Sequence, residues 1–125
     1  MKKIFLIFLY FFLFHLNVLA FTFKQSSADI ESTSNAIRGI NFNPDGTKMY
    51  ITESENKTIL QYSLSAAYDL DTMSLDAATS ISAANLAHAI EFNSDGTKMF
   101  IIDNKDDRVE EYTLSTAWDT TDITH

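Results

Sequence analysis

The chain of 125 residues contains no cysteine. Disulfide bonds, zinc–thiolate sites, covalent haem attachment and thiol catalysis are therefore excluded. Basic residues are also scarce, because nine Lys and Arg stand against seventeen Asp and Glu and give a net charge of −8. A nucleic-acid phosphate backbone attracts clustered Lys and Arg. The sequence thus argues against nucleic acid, and equally against an anionic membrane, as a partner.

Familiar catalytic arrangements are missing as well. No serine lies in a Gly-x-Ser-x-Gly turn, and the histidines, His15, His88 and His125, lack the spacing of a metalloprotease helix. The sequence therefore favours a non-enzymatic module. An enzyme whose active site needs further sequence is the alternative.

The first twenty residues have the layout of a secretory signal peptide. Lys2 and Lys3 precede an apolar run from residue 4 to residue 14, and Ala20 offers a small residue for cleavage. We expect a signal peptide at 1–20 and a secreted or periplasmic mature chain at 21–125. Cleavage would leave seven of the nine basic residues and a net charge of −10. Membrane association is expected only if the segment is retained as an anchor.

An internal repeat is the strongest positive signal. Residues 40–51 return at 90–101, and the 50-residue offset continues without a gap to Asp69 and Asp119. Fourteen of these thirty aligned pairs are identical. Repeats of about 20 to 50 residues are typical of propellers and solenoids, in which one unit cannot bury its apolar face alone.

Each repeat predicts short antiparallel strands. In the first copy, alternating apolar residues predict strands at 38–42, 47–52 and 58–64, and a weaker outer strand at 77–83. Asp45-Gly46 and Asp95-Gly96 are predicted structural turns, because Asp bonds the local backbone and Gly adopts the left-handed conformation. Catalytic aspartates are not expected there.

Four such strands form a blade of a β-propeller, so the predicted fold class is all-β. A two-sheet sandwich is the alternative. We place an outer strand at about 28–33, a first blade at 37–83 and a second blade at 87–125. The second blade is predicted to be incomplete, because the chain stops before the position of its fourth strand.

The segment Phe-Asn-Pro-Asp-Gly-Thr-Lys-Met-Tyr at 42–50, followed by residues 61–65 and 68–70, resembles the blades of secreted bacterial and phage β-propeller proteins. Their consensus runs "F-S-P-D-G-T-K-M-Y-V … Q-Y-D-L-S-T-P-W-D-L", and they are distantly similar to YVTN-type and lactonase-like proteins. The resemblance covers residues 28 to 125. It implies a propeller fold, whereas such blades serve binding, surface-layer and enzymatic roles alike.

Propellers have about four to eight blades, and this sequence contains two. Either the chain is part of a longer propeller, or two-blade copies close a ring of about six or eight blades. The expected partners are accordingly further blades, in the same or in neighbouring chains.

Candidate ligand-binding residues follow from the repeat. Arg38 and His88 are equivalent and open an innermost strand at the channel mouth, whereas Glu53 and Asp103 are equivalent and close a second strand. Together they could bind a carbohydrate, a protein ligand, an anion or a cation. The competing interpretation, which we favour, is that water or backbone carbonyls hold the first pair and that the acids serve turns.

No cofactor is expected. Calcium is the alternative for the acidic loop 103–107, although the alternating Asp pattern of a calcium loop is absent and Lys105 interrupts the acids. The function predicted from sequence is therefore an exported binding or interaction scaffold within a larger propeller. Its alternative is a fragment of a lactonase-like or other propeller hydrolase.

Overall fold

The structure is a computed structural model that describes residues 26–27, 30 and 36–125. It contains eight strands in two four-stranded antiparallel sheets with the orders β1-β2-β3-β4 and β5-β6-β7-β8. The all-β prediction is confirmed. The strands are β1 (Ile37–Phe42), β2 (Lys48–Glu53), β3 (Thr58–Leu64), β4 (Met73–Ser80), β5 (Ala87–Phe92), β6 (Lys98–Asp103), β7 (Arg108–Thr116) and β8 (Asp119–Thr124).

The predicted signal peptide lies outside the described residues, as does the predicted outer strand at 28–33 apart from Ile30. Ile30 is in no strand. In the described part of the chain, no helix is long and apolar enough to cross a membrane.

The fourth strand of the first sheet begins earlier than predicted. Asp69 Oδ1 accepts a hydrogen bond from Asp71 N at 3.2 Å and starts a short 3₁₀ turn at Leu70–Thr72. The turn leads directly into β4, where Met73 pairs with Leu64. The predicted start at residue 77 is wrong because this compact turn replaces a longer connection.

The second sheet also has a fourth strand, so the prediction that the chain stops before it is wrong. By the repeat, Met73 corresponds to Ile123, and Ile123 pairs with Leu114 just as Met73 pairs with Leu64. No 3₁₀ turn precedes β8, and Asp119 already pairs with Thr116. The six-residue strand β8 therefore forms the outer edge of the second sheet.

The two sheets stack face to face around one apolar core. Tyr50 and Ile59 of the first sheet meet buried residues of the second, and Ile81 and Ala84 from the connection between the sheets complete the cluster. The residues contributed by the second sheet are Ala87, Ile90, Phe92, Met99, Ile101, Tyr112 and Leu114. A second cluster covers the other face of the first sheet and includes Ile30; its buried members are Met49, Ile51, Leu60, Tyr62 and Leu64.

Three side chains of the first sheet bond to the backbone of the second. Tyr50 Oη donates to the carbonyl of Trp118 at 2.6 Å, and Gln61 Oε1 accepts from Thr120 N at 2.8 Å. Near the inner edge, Asn41 Nδ2 donates to the carbonyl of Ile90 at 3.2 Å. These bonds fix the position of one sheet on the other.

Candidate functional site

The predicted pair of equivalent residues, Arg38 and His88, lies on neighbouring inner strands. Arg38 is the second residue of β1 and His88 the second residue of β5. The two strands approach so closely that a Cβ atom on Gly39 would lie 2.8 Å from the carbonyl oxygen of His88. A residue without a side chain is therefore required at position 39. The close approach brings Arg38 and His88 to the same end of the two sheets.

The side chains of Arg38 and His88 are not engaged within the described residues. Arg38 is exposed and His88 is half-buried. The hydrogen bonds and ion pairs found within residues 36–125 include neither side chain. A guanidinium that has no partner inside the protein can bind a carboxylate or sugar hydroxyls without first breaking an internal contact.

Glu53 lies at the same edge, because it pairs with Ile37 next to Arg38. Its carboxylate is buried and already bonded: Oε1 accepts from Asn56 Nδ2 at 2.8 Å, and Oε2 accepts from Thr58 Oγ1 at 2.9 Å. Glu53 thus holds the turn between β2 and β3.

Asp103 pairs with Ala87, next to His88, and is fully buried. Its carboxylate accepts backbone N–H bonds from Asn85 at 2.7 Å, Leu86 at 3.1 Å and Lys105 at 3.0 Å. Burial alone would raise the pKa of Asp103, but these N–H donors outweigh it and hold the pKa below its usual range. The charged carboxylate therefore fastens the loop before β5 to the end of β6.

The structure thus brings all four predicted residues to one edge of the two sheets, the end at which β1 and β5 begin. The contacts of the two acids differ from those of Arg38 and His88. The two acids are bound within their own loops, whereas Arg38 and His88 have no partner within the described residues. In residues 26–27, 30 and 36–125, no three His, Cys, Asp or Glu side chains lie close enough together to hold a metal ion.

The predicted turns lie at the opposite edge, the end at which β1 and β5 finish. Asp45 Oδ1 accepts from Thr47 N at 2.9 Å and from Thr47 Oγ1 at 2.6 Å, and these bonds lower the pKa of Asp45. Asp95 makes the same two bonds to Thr97, at 3.0 and 2.5 Å, with the same effect on its pKa. Gly46 and Gly96 both have a φ of +72°.

An aromatic side chain covers each turn, a feature that sequence reasoning missed. A Cβ atom on Gly46 would lie 2.3 Å from the ring of Tyr68, and one on Gly96 would lie 2.3 Å from the ring of Trp118. Both aromatic residues have a positive φ, 57° and 61°. The sequence signal is an aromatic residue 22 positions after the turn glycine in both copies.

A second missed feature is an ion-pair cluster at Glu110, which replaces the buried Leu60 of the first copy. Its carboxylate contacts His125 Nε2 at 2.7 Å and Arg108 Nε at 2.6 Å. The hydrogen bond from His125 and the Arg108 guanidinium lower the pKa of Glu110. The cluster lies on β7 and holds the last residue of the chain against the second sheet.

Comparison with known proteins supports the fold. No family model matches the chain, and no curated protein matches it either. Among solved structures, it resembles a Bacteroides uniformis protein described as a "putative 6-phosphogluconolactonase", with a TM-score of 0.53 and 18% identity over 81% of this chain. The chain spans 30% of the length of that protein.

At this identity the similarity concerns the fold alone. Each four-stranded antiparallel sheet has the layout of a propeller blade. The chain is therefore an all-β protein made of two propeller-type blades.

Proposed function

We propose that this chain is an exported binding module within a larger propeller, and that its ligand contacts the edge formed by Arg38 and His88. The supporting observation is the difference in contacts among the four residues at that edge. Glu53 and Asp103 are engaged inside their loops, whereas Arg38 and His88 have no internal partner in the described residues. Propellers use this kind of mouth, where inner strands begin, to bind ligands.

The chemistry favours a carbohydrate that carries carboxylates. Arg38 offers planar, charge-assisted hydrogen bonds that suit a carboxylate, and the imidazole of His88 can add a further donor. Much of the surrounding protein is acidic, with a net charge of −8. Long-range attraction therefore does not favour an anion, which would have to be held at this edge by direct bonds to Arg38. A protein ligand with an acidic segment is the alternative partner.

Titration calorimetry of the chain with oligogalacturonate and with a neutral oligosaccharide of similar length tests the proposal. We expect binding of the acidic sugar, weakened at least roughly tenfold by Arg38→Ala, because a lost charge-assisted bond costs about 1.5–3 kcal/mol. Lys98→Ala is the matched control, since it removes one positive charge at the opposite edge. Equal losses in both variants would contradict a site at Arg38.

Export is part of the proposal and rests on the layout of residues 1–20. Expression of the full reading frame in a bacterium, followed by mass spectrometry of the exported protein, should find Phe21 as the first residue. A product that still begins at Met1 and stays with the membrane fraction would contradict it.

A second candidate function is that the chain is a part of a propeller hydrolase. The observation in its favour is the fold similarity to the Bacteroides uniformis protein. In that case the chain should release acid from 6-phosphogluconolactone faster than the spontaneous rate only when further blades are supplied. Hydrolysis by the two-blade chain that Arg38→Ala abolishes would instead place the active site at this edge and overturn the binding-module assignment.

A further inference from the structure

The carboxylate of Glu110 occupies a position that is apolar in the first blade. Its counterpart is Leu60, which is 2% exposed. Tyr112 and Leu114, on the same face of β7, belong to the core between the two sheets. The Glu110 side chain is itself only 9% exposed. A carboxylate in such a place needs partners, because burying an unpaired charge is costly.

Two basic side chains bond to the two oxygens of this carboxylate. Arg108 Nε lies 2.6 Å from Glu110 Oε1, and His125 Nε2 lies 2.7 Å from Glu110 Oε2. Arg108 and Glu110 both belong to β7, so their contact stays within one strand. His125 follows β8, so its contact ties the end of that strand to β7.

The strand β8 is paired less completely than its equivalent in the first sheet. β4 pairs with β3 along almost its whole length. β8 pairs with β7 at Asp119, Ile123 and Thr124, and the register shifts between the first of these pairs and the other two. Thr120 is held separately, because its N–H and hydroxyl donate to Gln61 Oε1 at 2.8 and 3.0 Å.

The end of β8 therefore depends on few contacts within the part of the chain that the structure describes. They are the two backbone pairs at Ile123 and Thr124, the packing of the Ile123 side chain on the core, and the bond between His125 and Glu110. A change in the strength of the last contact should thus alter how firmly residues 121–125 are held.

Near neutral pH, the imidazole is the group at this contact whose charge changes. Histidine gains its proton between about pH 8 and pH 5. The hydrogen bond from His125 and the Arg108 guanidinium lower the pKa of Glu110, so its carboxylate stays charged over that range. Burial raises the pKa of Tyr112, and the charges of Glu110 and Asp103 raise it further, so its phenol stays neutral. The charged and titratable groups around the imidazole are Arg108, Glu110 and Tyr112 on β7, Asp106 in the turn before it, Asp103 on β6 and Asp122 on β8.

We propose that His125 and Glu110 form a pH-sensitive clasp, which holds residues 121–125 against the second sheet at about pH 5.5 and loosens them at about pH 8. A charged imidazole makes a charge-assisted bond to the carboxylate, which is roughly twice as strong as the bond of a neutral imidazole. Closing the clasp therefore favours the bound proton, so the hold is strongest at low pH and weakens as the pH rises through the range in which histidine titrates.

The loosened form is accessible because Arg108 keeps its own bond to Glu110, so the carboxylate is not left without a partner. Thr120 also remains bonded to Gln61, which confines the change to the residues after it. The clasp involves neither the edge at Arg38 and His88 nor export, and it goes beyond the proposed function.

Hydrogen exchange of the backbone amides, followed by NMR without ligand, tests the clasp. Protection factors, which are corrected for the direct effect of pH on exchange, are compared at about pH 5.5 and about pH 8. For residues 121–125 we expect them to fall roughly two- to fivefold at the higher pH, as for a half-exposed ion pair. The protection of Thr120 should stay the same, because Gln61 holds its N–H.

Two variants separate the charge of the imidazole from the fold. His125→Gln retains a hydrogen-bond donor but is uncharged at both pH values, and Glu110→Leu introduces the residue of the first blade. In both, the protection of residues 121–125 should be the same at the two pH values, and circular dichroism should show the wild-type fold. Lys98→Gln is the matched control: it breaks the exposed ion pair with Glu111 on the same sheet and should keep the wild-type pH dependence. A wild-type chain with equal protection at both pH values, or a His125→Gln variant that changes as much as the wild type, would overturn the clasp.

Discussion

Gly96→Ala tests how far the fold depends on the aromatic side chain that covers each turn. Gly96 has a φ of +72°, and an added Cβ would lie 2.3 Å from Trp118 Cε2. Trp118 is fixed by its own backbone, because its N–H donates to the carbonyl of Gly96 at 2.9 Å and its carbonyl accepts from Tyr50 Oη at 2.6 Å. The indole also packs on Phe92, with ring centroids 5.2 Å apart.

The cost has two parts. An L-residue in the left-handed conformation costs about 1–2 kcal/mol. Since carbon atoms pack at about 3.5–4.0 Å, the indole must move, and that movement weakens one hydrogen bond and one aromatic contact, each worth about 1 kcal/mol. We therefore expect Gly96→Ala to lower the free energy of unfolding by about 3–4 kcal/mol.

Urea unfolding followed by far-ultraviolet circular dichroism measures this cost, with all variants at one protein concentration. In a Trp118→Ala background the same substitution should cost only about 1–2 kcal/mol, because the backbone part alone remains. Gly46→Ala is the matched control: Tyr68 covers that glycine but is 55% exposed, so its ring has more room to move. Equal costs with and without the indole would refute the steric explanation.

Two further comparisons use the same assay. Tyr50→Phe should lower the free energy of unfolding by about 1 kcal/mol, because it removes the bond to the Trp118 carbonyl. Tyr112→Phe removes a buried hydroxyl that forms no hydrogen bond within the described residues, so it should leave the free energy of unfolding unchanged or raise it by about 1 kcal/mol. A larger loss of stability in Tyr112→Phe than in Tyr50→Phe would contradict the assigned bond. The pKa of Asp103 lies below its unfolded value of about 3.9, so its contribution to stability is complete above that pH and disappears as pH falls through the folded pKa. Asp103→Asn should therefore be less stable than the wild type at pH 7 and lose less stability on acidification to about pH 3; parallel pH profiles would contradict this.

Much of the fold could be predicted from local patterns. The strand at Thr58–Leu64 was predicted with its observed bounds, because apolar residues alternate there without interruption. The start of β4 was misplaced because the alternation of Met73 and Leu75 with Ser74 and Asp76 covers only four residues before two alanines, which makes a weak strand signal. Outer strands are defined by their pairing with β3 and β7, which sequence spacing does not reveal.

The candidate site, like the fold, could be predicted from the sequence only in part. The repeat was sufficient to identify Arg38 with His88 and Glu53 with Asp103 as equivalent positions. It could not show that Asp103 is bound by the N–H groups of Asn85 and Leu86, which lie 18 and 17 residues earlier in the chain. The contact of Trp118 with Gly96 has a sequence signal in the repeated 22-residue spacing, but that spacing does not reveal the positive φ of Trp118 that brings its ring over the turn.

The bonds that join the two blades have a consequence for how such repeats diverge. Tyr50, Gln61 and Asn41 each bond to a main-chain atom of the second sheet, at Trp118, Thr120 and Ile90 respectively. Every residue except proline presents the same main-chain groups, so substitutions in the second blade leave these three bonds in place. The joint therefore constrains mutation unequally: the first blade is held to three side chains, whereas the second blade, within the described residues, adds side-chain bonds only at Glu91 and Thr120.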